Sequence, residues 1–228
     1  MLGHRQTAKN RAGLSLPNPP GLKHHPPIME LDFEGKHADR AYPILASLVT
    51  PRPIALVTTL SPDGKLNAAP FSFFNVLGAE PPIVAFAPGD RDDGTPKDTA
   101  LNIRLTREFV INLVDEAIAE PMNLCAASLP YGENELLRAG LTTAPSTSVK
   151  PPRIAEAPAS LECAEWGTLQ IGGNRVVIGL VKRVHLRDEL FDAEKLRVRA
   201  DKLFLIGRMA APHWYCRTRD RFEMIRPA

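Results

Sequence analysis

Residues 50–76, TPRPIALVTTLSPDGKLNAAPFSFFNV, constrain this chain more than any other stretch. IALVTTL is a run of aliphatic and β-branched residues, the composition of a strand. SPDGK follows as a turn: Pro62 presets φ, and Asp63-Gly64 favours positive φ between two strands. LNAAPFSFFNVLG is the returning strand, with Pro70 marking an edge, a bulge or a bend. Upstream, Pro51 and Pro53 force extended backbone on their neighbours. A chain organised around such a hairpin builds a sheet.

The rest of the pattern agrees. PPIVAFAPG, EFVINLV, ASLECAEWGTLQI and RVVIGLVKRVHLR read as further strands, the last two joined across GGN. Helical spacing appears over residues 37–49, where Ala41, Ile44, Leu45, Leu48 and Val49 recur on one face. Residues 96–105 predict a short helix, and residues 115–139 a mostly helical stretch broken at LPYGE. The fold class is therefore mainly β with inserted helices, one barrel of about six or seven strands rather than a repeated βαβ sheet. A loop-rich segment closes the chain.

Composition narrows the function classes. Twenty-two prolines among 228 residues are roughly twice the usual share, too many for a helical bundle. A net charge of +2 gives no support for a nucleic-acid or acidic-membrane partner. The widely spaced Cys125, Cys163 and Cys216 disfavour a zinc site and a disulfide framework, and point to a reducing cytoplasm. No run approaches the roughly 20 apolar residues of a membrane span, and no secretory leader is expected. Residues 1–28 are polar, basic and proline-punctuated, and are expected to be a disordered extension of a domain over residues 29–228. A chain starting at Met29 is expected to fold, dimerise and bind cofactor as the full chain does. His24 and His25 beside prolines do not make a metal site.

No G-x-G-x-x-G, P-loop, H-E-x-x-H or G-x-S-x-G is present. TPKDT at residues 95–99 offers another way to hold a phosphate. Thr95 reads as the helix cap, Pro96 as the first helical residue and Asp98 as the partner in a capping box. Lys97 adds charge and Thr99 a hydroxyl to the positive end of the helix. The same segment also reads as a capped helix with no ligand. In NAAPFSFFNV, alternation places Ala69, Phe71, Phe73 and Asn75 on one side and Ala68, Pro70, Ser72 and Phe74 on the other. Small polar groups beside aromatic rings suit a planar heteroaromatic ligand; the rings also read as ordinary core, and Asn67, Ser72 and Asn75 as turn or backbone partners.

PRPIALVTT, NAAPFSFFNV, PPIVAF, DGTPKDTALNI, EFVINLVDE and VKPPRIAEAP occur in the order seen in the flavin reductase-like, FMN-binding split β-barrel family, which the chain resembles from about residue 42 to 215. The closing DKLFLIGRM…Y is also similar. The resemblance implies a split barrel with Greek-key connections, a homodimer, and one FMN per subunit near the dimer interface. It implies that Thr58 or Thr59 lies at the phosphate or ribityl chain, with Lys97 and Thr99 at the phosphate. Asn67, Ala69, Pro70 and Ser72 would follow the isoalloxazine edge. Arg52 becomes a second phosphate contact or an interface residue, and Arg208 and Tyr215 close over the cofactor.

One departure limits the functional expectation. Where such reductases commonly carry a G-D-H-like motif whose histidine aids nicotinamide binding, this chain has GGNRVVIG. His185 lies farther along and reads as a solvent-facing strand residue. The leading expectation is an FMN-dependent oxidoreductase, possibly drawing on NAD(P)H, with no catalytic acid or base singled out. The alternatives are a non-catalytic FMN-binding or electron-transfer protein and a cofactor-less dimeric interaction module.

Overall fold

The computed structural model describes residues 27–227, so most of the extension expected over residues 1–28 lies outside the described residues. The chain divides into two units, one up to Asp39 and one from Arg40 onward. In the first, the Asp32 carboxylate accepts from the amides of Glu34 and Gly35 and holds a turn.

The elements of the second unit begin with α1 (Ala41–Leu48), β1 (Arg52–Pro53), β2 (Ala55–Leu60), β3 (Leu66–Phe71), β4 (Phe74–Ala79) and β5 (Pro82–Phe86). Then come α2 (Asp98–Thr106), β6 (Glu108–Leu113), α3 (Ala119–Leu124), α4 (Glu135–Ala139), β7 (Thr143–Ala144) and β8 (Arg153–Ile154). The chain ends with β9 (Ala159–Ile171), β10 (Asn174–Leu186), β11 (Phe191–Asp192), β12 (Arg197–Val198), β13 (Ile206–Arg208) and β14 (Tyr215–Arg217).

Seven strands form one antiparallel sheet in the order β3-β2-β6-β9-β10-β5-β4. Its two edges, β3 and β4, are separated in the chain only by Ser72 and Phe73. A two-residue step cannot span seven strands laid flat at ~4.8 Å spacing, so the sheet is rolled until its edges meet at one corner. The edges do not pair, and the barrel stays split. From β5 the chain steps over β10 and β9 to reach β6, a Greek-key connection, and the β9–β10 hairpin fills the gap.

The turns follow the sequence. Gly64 adopts φ +83° between β2 and β3, and its amide donates to the Ser61 carbonyl at 2.9 Å. Inside the barrel, Phe71, Phe86 and Phe109 pack as tilted rings with successive centroids 5.2 and 5.5 Å apart, and Ile103 of α2 joins the same core. A second core lies on the outer face, where Leu56 and Ala68 meet Ile118, Met122 and Leu136. β2 is thus buried on both faces, which is why it reads as an unbroken run rather than an alternation.

Several expectations need correction. LNAAPFSFFNVLG is not one strand: it breaks at Ser72–Phe73 and supplies both sheet edges, so Phe73 and Asn75 do not share a face with Ala69 and Phe71. The region over residues 115–139 holds only short helices separated by a loop at residues 125–134. α2 begins at Asp98 with Lys97 at its cap position, not at Pro96. Thr95 is taken by Asp93, whose carboxylate accepts from its amide and hydroxyl, and Asp98 pairs with Arg91. The nearer partners win, and the capping box does not form. The helix over residues 41–48 is present, but its apolar stripe is not core: Leu45, Leu48 and Val49 are exposed.

Candidate functional site

β3 pairs only with β2, so one side of its backbone is free. The Ala68 amide points to that free side and donates to the Glu135 carboxylate at 2.8 Å. Two residues on, Pro70 occupies the equivalent position, where a missing N–H costs no ladder bond. A cleft of about 670 Å³ runs along this edge, within the ~300–1,000 Å³ of small-molecule sites. It is lined by residues 67 and 69–71 of β3, by residues 90–93, by Lys97, Asp98 and Thr99 at the start of α2, and by residues 125–129 with Glu135.

The end of the cleft is the start of α2. Among the described residues no side chain caps this nine-residue helix, and the exposed Lys97 ammonium has no ion pair. The first-turn amides therefore face the cleft without intrahelical partners. Thr99 is buried, and its hydroxyl accepts from Asn67 Nδ2 at 2.9 Å. Asn67 also donates to Thr59 at 3.2 Å, as does Asn102 at 3.1 Å, so a hydroxyl–amide network fixes Thr99 from behind. The side-chain oxygen of Asn102 has no hydrogen-bond partner among the described residues.

Local charge leaves Lys97 available. Asp98 is held by Arg91, and Asp90 by Arg175 at 2.5 Å. Burial pushes the Glu135 carboxyl above the usual range, with the Ala68 amide pulling the other way. Beside it, burial and the Glu135 charge push the Cys125 thiol up to about 12, so it is an inert thiol at neutral pH.

The sequence-derived site residues fall into two groups. Asn67, Ala69, Pro70, Lys97 and Thr99 line the cleft, and Thr59 stands behind its wall. Thr58 faces the other side of the sheet, where its hydroxyl donates to the Pro152 carbonyl at 2.6 Å. Arg52, Ser72, Arg208 and Tyr215 gather beyond the end of β3. Arg52 is 5% exposed and donates to the carbonyls of Ala46, Val49 and Met209 and to Ser72 Oγ. It closes the C-terminal end of α1, where free carbonyls favour a cation. Arg208 is its cross-strand partner between β1 and β13, and stacks on Tyr215 at 4.6 Å.

A search of family descriptions matches the flavin reductase like domain over residues 47–217. The chain belongs to the flavin reductase-like family. It is similar to a Deinococcus radiodurans protein described only as uncharacterised, 49% identical over 190 residues, covering 81% of this chain and 84% of the relative. Among solved structures, the 2-nitrobenzoate 2-nitroreductase NbaA of Pseudomonas fluorescens is 38% identical, with a TM-score of 0.79, covering 87% of this chain and 96% of that one. Component B of the Bacillus cereus nitrilotriacetate monooxygenase is 30% identical, with a TM-score of 0.83, covering 88% of this chain and all of the other. Membership implies a flavin cofactor and oxidoreductase chemistry. The donor set fits such a group: an open helix N-terminus, an unpaired lysine and a free strand edge share one cleft.

Two groups were missed in the sequence. Glu135 was invisible because its partner, the Ala68 amide, is remote in the chain and carries no residue signature. His185 is not a free solvent-facing residue: its Nε2 meets the fully buried Glu162 carboxylate, which also accepts from the amides of Thr147 and Ser148. Among the described residues no group of side chains suits a metal, and no helix is long and apolar enough to cross a membrane.

Proposed function

We propose that this protein is an FMN-dependent oxidoreductase that works through a flavin held along β3. The observation carrying this reading is the uncapped start of α2, with Lys97 and Thr99, opening into the cleft at the free edge of β3. Lys97 and the first-turn amides would hold the phosphate, and Thr99, fixed by Asn67, would add a hydroxyl. From Asn67 to Ser72 the edge runs roughly 16 Å at strand rise, enough for ribityl chain and ring in sequence. Backbone groups of residues 68–70 would meet the ring edge. FMN is favoured over FAD because the cleft presents no feature that recognises an adenosine half. When bound, the flavin supplies two-electron chemistry; the chain contributes position, exclusion of water and hydrogen bonds.

NAD(P)H as electron donor is a weaker part of the reading. Arg175, in the GGNRVVIG stretch that stands where such reductases commonly carry a histidine, is engaged by Asp90. We therefore expect slow or no reduction of free flavin. A homodimer is supported by apolar side chains exposed on the single chain: Leu48 and Val49 at the C-terminal end of α1, Val76 and Leu77 on β4, and Trp166 and Ile171 on β9.

The test is the cofactor released from purified protein, followed by titration. FMN should be found. Lys97→Ala and Thr99→Ala should each weaken FMN about tenfold, ~1.4 kcal/mol, while riboflavin binds all three proteins alike. FMN affinity unchanged in both variants would overturn the phosphate seat.

A further inference from the structure

Arg52 and Arg208 face each other across β1 and β13, and burial, with the Arg208 charge adding to it, lowers the Arg52 pKa. Neither forms an ion pair with a carboxylate among the described residues. Their neighbours on β14 and beyond behave differently: Arg217 and Arg219 both engage Glu116, at 2.6 and 3.0 Å. Two adjacent guanidinium groups without a counter-ion repel each other, and burial of Arg52 in a low-dielectric setting makes this worse. Arg52 spends its donors on carbonyls and Ser72. Arg208 donates from Nη2 to the Pro212 carbonyl, while its Nε and Nη1 have no hydrogen-bond partner among the described residues.

Aromatic surface surrounds this charge. Phe73 is 43% exposed and lies 5.8 Å from the Arg52 guanidinium, and Tyr42 is 6.1 Å from Phe73. Tyr215 lies under Arg208 and is itself part-exposed. Flat apolar faces beside a planar cationic fork suit a planar aromatic acid: ring on ring, carboxylate on guanidinium. Arg52 reaches Ser72, two residues beyond Pro70 on the edge assigned above to the flavin ring.

We propose that Arg208, backed by the charge of Arg52, is the anchor for the carboxylate of a small aromatic substrate, with Phe73 and Tyr215 framing its ring. This rests on the reading of β3 as the flavin-binding edge.

Binding of benzoate, benzamide and inorganic phosphate is to be measured by calorimetry on FMN-loaded protein and on flavin-free protein. FMN affinity is measured separately, so failure to bind flavin is seen independently of failure to bind benzoate. Benzoate should bind loaded protein about tenfold tighter than its uncharged isostere benzamide and than phosphate. Arg208→Ala should abolish that preference and Arg208→Lys retain part of it, with the benzoate-to-benzamide ratio read on protein saturated with FMN. Equal affinity for benzoate and benzamide, or a preference that survives Arg208→Ala, overturns the proposal. So does phosphate binding as well as benzoate, which would make the arginines a phosphate site. A change in oligomeric state in Arg208→Ala with benzoate binding intact would assign the patch to an interface between copies instead.

Discussion

Glu135 and Glu162 are both buried carboxylates beside the same rolled sheet, and their environments push them in opposite directions. Glu135, in the cleft wall, accepts from one amide, and burial wins: its pKa is raised. Glu162, under the loop that leads to β8, is also penalised by burial, but the amides of Thr147 and Ser148 and the ring of His185 outweigh it. Its pKa is lowered. Desolvation has the same sign at both sites, so the number of donors decides. A carboxylate saturated with donors staples a loop to a barrel. One left with spare acceptor capacity beside a cleft is poised to meet something else.

Removing the saturated acid should have the largest effect. Glu162→Ala removes a fully buried carboxylate and leaves two part-buried amides and a histidine without their acceptor, and is expected to cost about 3–5 kcal/mol in denaturant unfolding. A loss below about 1 kcal/mol would show that the loop is held by other contacts. Next is Thr147→Pro, which deletes one donor and leaves the acid in place; about 1–3 kcal/mol is expected, with the loss shrinking in acid as Glu162 takes up its proton. The smallest effect belongs to Glu135→Gln, which keeps an acceptor for Ala68 and removes an unfavourable buried charge. Stability at neutral pH should stay within about 1 kcal/mol of the parent.

Acidity separates the two sites further. Glu162 binds its proton less readily in the folded state, so its stabilisation is complete above the unfolded value of about 4.3 and is lost as pH falls through its lowered pKa. Glu135 has the opposite sign: the folded state holds its proton longer, and stability declines as pH rises from that same value through its raised pKa. Unfolding curves from acid to neutral pH should therefore lose their low-pH slope in the Glu162 variant. The Glu135 variant should lose part of the decline on the other side. Identical profiles for the two variants would remove the contrast.

Short-range signals were the readable ones. The β2–β3 turn follows from Asp63-Gly64, and the long β9–β10 hairpin from its β-branched run and paired glycines. The break at Ser72–Phe73 was hidden because FSFFN stays apolar and aromatic across it, while the cause of the break is a sheet that must change edges there. The start of α2 was misplaced because Thr95 had two suitors, and local Asp93 prevailed over the helix. Lys97 and Thr99, singled out by the TPKDT motif, do lie at the start of α2 and line the cleft. Glu135 and Glu162 were not legible, because backbone amides distant in the chain determine their chemistry, and an amide looks alike at every residue.

The interleaved strand order also governs how the molecule comes together. While the chain is emerging, β2, β3 and β6 can assemble on one side and β4 with β5 on the other, but no strand yet joins them. The bridge is the β9–β10 hairpin, which pairs with β6 on one flank and β5 on the other. Until residues 159–186 have been synthesised, both half-sheets carry bare edges rich in Val, Ile and Phe, the state most exposed to wrong pairing. Closure through such distant segments is slow in general. The late hairpin is a keystone, and a chain interrupted before it is expected to aggregate rather than persist as a smaller barrel.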